Sequence, residues 1–250
     1  MKILLKNEFL KITRSKAFRI AFLLSLIYVP FNILTGGSAE YFQYGYRCPV
    51  VIYGFFETCF FWIFGAIIAA LVAGEYDNGT IRNVIGLGID RRKYFISKVI
   101  SVFTASAFIL FLMVFAFFVV ATIRFTRWTG FVFTGKYLLK LLSYYITMLV
   151  FVLSYESIFI LFSQIFHSTR NTFLGVLGIT LLENEVAAYL TVKALGRVTG
   201  PIGTIMKIRA FYDKGAALDA AFWLNLIPSV VVGIAAIVAS YFLFIKKDIE

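Results

Sequence analysis

Long apolar runs, closed at their ends by charged residues, recur along the chain from residue 20 onward. A helix needs about 20 mainly apolar residues to cross the hydrocarbon of a bilayer. Six runs meet or approach that length: Ile20–Leu34, Val50–Ala73, Val99–Ile123, Leu141–Ser163, Thr172–Val192 and Phe222–Ile245. Ahead of them, Ile3, Leu4, Phe9, Leu10 and Ile12 alternate with Lys2, Lys6, Glu8, Lys11 and Arg14, the pattern of a helix lying in the membrane interface. This positive segment, followed by an apolar run and Gly37-Ser38-Ala39, also has the outline of a cleaved leader, but its amphipathic patterning makes a retained interfacial helix the expectation. The predicted architecture is all-α: a polytopic membrane protein with six transmembrane helices in a single domain over 1–250. Within it, residues 1–18 form the interfacial helix, 74–98 a cytoplasmic segment and 193–221 an outer re-entrant or loop segment.

Composition agrees with this pattern. Hydrophobic residues make up 61% of the 250 positions and charged residues only 15%, too little charge to cover the surface of a soluble domain. The 29 Phe exclude disorder, and two Cys exclude a disulfide scaffold. Cys48 and Cys59, with a helix starting near Pro49, would be separated by roughly 16 Å of helical rise, beyond the about 7 Å that a disulfide spans. A net charge of +11 is compatible with nucleic acid only where a polar basic face exists; here the basic residues flank apolar runs, at headgroup level. With the N-terminus inside, 14 of the 24 Lys and Arg fall on inner segments, which predicts cytoplasmic N- and C-termini.

Catalytic motifs are mostly excluded. A single histidine, His167, rules out a His-Glu-x-x-His zinc peptidase, and no G-x-S-x-G nucleophile turn occurs. Gly130 to Tyr137 reads G-x-x-x-x-G-K, yet Tyr137 stands where a phosphate loop needs Ser or Thr for magnesium, and the run falls in a predicted outer loop. Asn78-Gly79-Thr80 matches a glycosylation sequon but lies on the inner side, where it reads as a turn into a helix. The chain is therefore expected to catalyse nothing and to hold no cofactor or metal of its own.

The informative stretch is Gly74 to Lys98. Asp77-Asn78-Gly79 is a turn signal, Thr80 suits an N-cap, and Ile81, Val84 and Ile85 form an i, i+3, i+4 apolar face. Gly86 and Gly88 end that helix, and Asp90 caps the next. The expectation is a short amphipathic helix at the cytoplasmic surface whose ridge has no obvious cover in this chain, the signature of a helix seated in a partner's groove. An ordinary loop packed on its own bundle is the alternative.

Here the chain resembles the ABC-2 type permeases, the membrane subunits of ATP-driven exporters. Glu75-Tyr76-Asp77-Asn78-Gly79-Thr80-Ile81-Arg82, with Arg91 and Lys98 beyond, resembles their E-x-x-x-G-T-hydrophobic-R … R … K signature, and Asn7 to Lys11 and the terminal Lys246-Lys247-Asp248 are loosely similar too. The resemblance implies an ABC-2 (type V) exporter-like fold in the bacterial plasma membrane. It implies two such units, a homodimer in preference to a heterodimer, joined to separate ABC ATPase subunits that carry ATP and magnesium. It also implies that Glu75, Gly79, Thr80, Ile81, Arg82, Val84 and Ile85 belong to a coupling helix seated on the ATPase. Substrates would be amphipathic peptides or hydrophobic antibiotics, moved outward for export or self-immunity; the phenol-soluble-modulin exporter permeases are similar.

Four glutamates fall within predicted spans, Glu57, Glu156, Glu183 and Glu185, and are candidates for the translocation path. On the fifth span, ten apolar residues contribute about −3 to −6 kcal/mol, which two central glutamates would cancel. A break near Glu183-Asn184-Glu185 is expected, with neutral, hydrogen-bonded glutamates as the alternative. Gly65, Ala69 and Ala73 permit close helix approach, inside one subunit or at a dimer seam. The competing function is a proton-coupled secondary transporter using these glutamates; an inverted repeat would favour it, and none is visible.

Overall fold

The computed structural model describes residues 2–35, 61–129, 135–178 and 220–246. Helices make up the described residues, with no strand among them: α1 (Lys2–Arg14), α2 (Lys16–Thr35), α3 (Phe61–Ile68), a π-helical turn (Ala69–Ala73), α4 (Gly74–Asp77), α5 (Thr80–Gly86), α6 (Arg91–Thr129), α7 (Gly135–Phe166), α8 (169–178) and α9 (Ala220–Lys246). Three helices among them are long and apolar enough to cross a membrane, over Arg91–Val120, Tyr145–Phe166 and Ser229–Lys246. The helix α2 covers the first predicted span. The second is described from Phe61 and the fifth over 172–178. Glu57, Cys48, Cys59, the predicted break at Glu183-Asn184-Glu185 and the outer segment up to residue 219 lie outside the described residues.

Helix starts follow local chemistry. The backbone N–H of Arg92 donates to Asp90 Oδ1 at 2.9 Å, and that of Tyr94 to the Asp90 carbonyl at 3.0 Å, so α6 begins at its cap, ahead of the predicted Val99. The helix α7 also begins early, at Gly135, so Lys136 and Tyr137 lie in its first turn and not in a loop. Thr80 is not a cap. Gly79 occupies that position with φ +64°, a left-handed turn that glycine adopts freely, and Thr80 is the first helical residue.

The most buried of the three long helices is α7, with Phe151, Tyr155 and Phe159 at its centre. Against it α9 lies close, because Gly233 has no side chain: a Cβ there would sit 3.0 Å from the Ser154 Cα. One end of α9, at Leu243 and Lys246, shares a groove with Gln164, Ile165 and His167. Gly233 beside Ser154 and Leu243 beside Ile165 fix one direction for both helices, so α7 and α9 run parallel. The small residues Gly65 on α3 and Gly74 at the start of α4 pack within the chain. A Cβ at Gly65 would meet Val176 Cγ1 at 2.8 Å, and one at Gly74 would meet Thr169 Oγ1 at 3.4 Å. Those two positions therefore receive α8.

Candidate functional site

The π-helical turn delivers the chain into α4, where Glu75 is 8% exposed. An isolated buried carboxylate costs several kcal/mol, and two neighbouring helices answer that cost. From α1, Lys11 Nζ lies 2.8 Å from Glu75 Oε1 and 2.9 Å from Glu8 Oε1. From α6, Lys98 Nζ lies 2.7 Å from Glu75 Oε1 and 2.5 Å from Glu8 Oε2. Each ammonium touches both carboxylates, so the four groups close a ring of alternating charge with no net charge. The Tyr94 hydroxyl donates to Glu75 Oε2, and Lys98 also donates to the Leu71 carbonyl of the π-helical turn at 3.2 Å. Burial alone would raise the Glu75 pKa, but the charge of Lys98 and the hydrogen bonds from Lys11, Lys98 and Tyr94 outweigh it and hold the carboxyl below its ordinary range. Desolvation pulls Lys11 down while Glu75 and Glu8 push it up, and the carboxylates prevail.

A second clamp holds the other flank of α4. The Tyr76 hydroxyl donates to Gln164 Oε1 at the end of α7, and its ring meets His167 edge-on at 4.6 Å between centroids. Burial and the neighbouring Glu75 charge push the Tyr76 hydroxyl pKa up, so it remains a donor. His167 takes φ 52°, which turns the chain from α7 toward α8. There the Thr169 N–H donates to Asp77 Oδ2 at 2.9 Å, capping the start of α8 from a distant segment, and the Thr169 hydroxyl together with that N–H lowers the Asp77 pKa. The two clamps meet at one narrow cavity lined by Glu75, Tyr76, Tyr94, Lys98 and Gln164. The two clamps tie α1, α4, α6, α7 and α8 together at one corner of the bundle.

Beyond that corner, α5 stands between two left-handed glycines, Gly79 and Gly88. Its apolar face is not uncovered, and this corrects the expectation of a ridge open to a partner. Ile81 is buried, and Val84 and Ile85 pack against the same core cluster. The residues α5 turns outward are Arg82, Asn83 and Gly86, with Leu87 following at 81% exposed. Arg91 donates to the Ile245 carbonyl at the end of α9.

Of the glutamates expected in spans, Glu156 is described. It is fully buried on α7, Ser106 of α6 donates to its Oε1, and its Oε2 has no hydrogen-bond partner among the described residues. Neither the narrow cavity beneath α4 nor the groove at the end of α9 is lined by Glu156.

Sequence reasoning missed the roles of Glu8 and Lys11, Tyr76 and Gln164. For Glu8 a signal existed: it is the single acid before residue 40 and shares a helix face with Ile12, so a carboxylate sat on the buried stripe of α1. That stripe is Glu8 and Ile12, while Ile3 and Leu10 face outward together. Residues 4–185 match the family model described as "ABC-2 family transporter protein". No curated protein matches the chain.

Proposed function

Because the chain belongs to the ABC-2 family of transporter proteins, and so is a membrane permease of an ABC transporter, we propose that it works as the outward-pumping subunit of an exporter driven by a separate ATPase. The observation that carries this reading is the pairing of a rigid corner with an exposed face. Glu75, Lys98, Lys11 and Glu8 staple the coupling segment to α1 and α6, while α5 and the residue that follows it present Arg82, Asn83 and Leu87 to the cytoplasm. A displacement imposed on α5 is passed to those helices, since the ring cannot open without stranding a buried charge. Arg82 and Leu87 make the contact with the ATPase; Ile81, Val84 and Ile85 attach α5 to its own bundle. Nucleotide binding shifts the permease between two states only in so far as the ATPase contacts one better than the other.

Two copies of the chain form the pore, preferably as a homodimer, and the cargo is an amphipathic peptide or hydrophobic antibiotic. A buried carboxyl beside Tyr155 and Phe159 supports a preference for cationic amphiphiles when the helices part around Glu156. The test is co-purification of ABC ATPase subunits with the tagged full chain from its native membrane, followed by ATPase assays in liposomes. The expected result is a stable complex that Arg82→Glu weakens and Ile81→Val leaves intact. Uphill transport by the chain alone, driven by a proton gradient, would overturn the reading.

A further inference from the structure

At the cytoplasmic ends of α7 and α9 lies a groove of about 660 Å³, lined by Gln164, Ile165, His167, Ala239, Phe242, Leu243 and Lys246. Volumes of roughly 300–1,000 Å³ suit a bound small molecule. The walls are apolar and open: Phe242 is 54% exposed, Ile165 49% and Leu243 44%. Ala239 lies one helical turn from Leu243, and its small side chain leaves the hollow between them. At the cytoplasmic mouth stands Lys246, in the last turn of a span that begins at Ser229. The groove therefore has a polarity. Its apolar length points toward the bilayer centre and its cationic end lies at the level of the inner headgroups.

We propose that this groove binds an anionic phospholipid of the inner leaflet, with the phosphate at Lys246 and an acyl chain along Ala239, Phe242 and Leu243. A lipid of that leaflet has the same polarity as the groove, negative at headgroup level and apolar above it. Basic pockets between membrane helices on the cytoplasmic side take such headgroups. A second copy of the chain is a poorer occupant. A two-fold contact through this face would bring the same patch against itself, Lys246 toward Lys246, with like charges opposed.

The test is native mass spectrometry of the full chain in detergent, titrated with palmitoyl-oleoyl phosphatidylglycerol or with phosphatidylcholine of the same chains. Phosphatidylglycerol should be retained about fivefold better, the factor that one interfacial lysine contributes. Lys246→Gln should erase that preference, and Lys93→Gln, at an exposed headgroup-level lysine on α6, should leave it unchanged. Ala239→Trp should expel both lipids by filling the hollow; should it not fold, Lys246→Gln still decides. Equal retention of the two lipids by the unmodified chain would overturn the proposal. So would equal losses in Lys246→Gln and Lys93→Gln, or a disulfide between two copies of an Ala239→Cys chain, which would make the groove a subunit seam.

Discussion

Replacing Glu75 with Gln removes one corner of a closed ring of four charges. Lys98 and Lys11 would then share Glu8 alone, leaving one positive charge in excess. The two ammonium groups differ in their escape routes: the Lys11 side chain is 41% exposed and can turn to water, whereas that of Lys98 is 7% exposed and cannot. Removing one partner of a buried pair costs about 3–5 kcal/mol. With the Lys11 route open, the loss for Glu75→Gln should fall near the lower end, about 3 kcal/mol. Lys98→Met should cost more, because two carboxylates would face each other with only Lys11 between them. Lys11→Gln should cost about 1 kcal/mol, as for a solvent-screened pair. Thermal melting of the purified complex reads the order Lys98→Met, then Glu75→Gln, then Lys11→Gln. The double variant Glu75→Gln/Lys98→Met keeps the neutral pair Glu8–Lys11 and should lose less than the two single changes together, by about 0.5–3 kcal/mol. Simple additivity, or a Glu75→Gln loss no larger than that of Lys11→Gln, would refute the ring as a cooperative unit.

The pH dependence of that corner follows from the same contacts. A carboxyl held below its ordinary value contributes stability that is present above 4.5 and disappears as pH falls through the depressed value. Lys11, raised above 10.5, contributes in full below 10.5 and loses that contribution as pH rises from there through the raised value, so melting should stay level from about pH 6 to about pH 9 and Glu75→Gln should flatten the acid limb. Gly233→Val would press a side chain onto the Ser154 backbone and should cost about 1–3 kcal/mol, whereas Gly86→Ala meets open space at the end of α5 and should be neutral or slightly stabilising in the same melt. Asp77→Asn weakens the acceptor for the Thr169 N–H and should speed hydrogen exchange at the start of α8 with little change in melting, since Asp77 is exposed. Glu156→Gln keeps an acceptor for Ser106 and should fold, yet reduce peptide-stimulated ATPase of the assembled complex; unchanged stimulation and export would remove Glu156 from the cargo path.

What could be read from the sequence, and what could not, divides along the range of the interactions involved. The apolar runs announced α6, α7 and α9 because a bilayer demands length and hydrophobicity from each span by itself, without help from a distant residue. Asp77-Asn78-Gly79 and Asp90 announced the borders of α5 and α6 because turns and caps are satisfied within a few residues. The orientation of α5 was a different kind of question. Ile81, Val84 and Ile85 mark one apolar face equally well whether it enters a partner or its own bundle, and only the packing of the core cluster decides. The ring around Glu75 joins positions 8, 11, 75 and 98, and no local rule links Glu8 to Lys98. The sequence hint was indirect: Glu8 on the apolar stripe of α1, Glu75 closing an apolar span and Lys98 opening another are each too costly to bury alone. Three such positions of mixed sign, all at one predicted membrane level, require one another as partners. Charge neutrality at a fixed depth is thus a long-range constraint that a membrane sequence carries even where its periodicity is silent. Here it points to the same corner that the fold assembles.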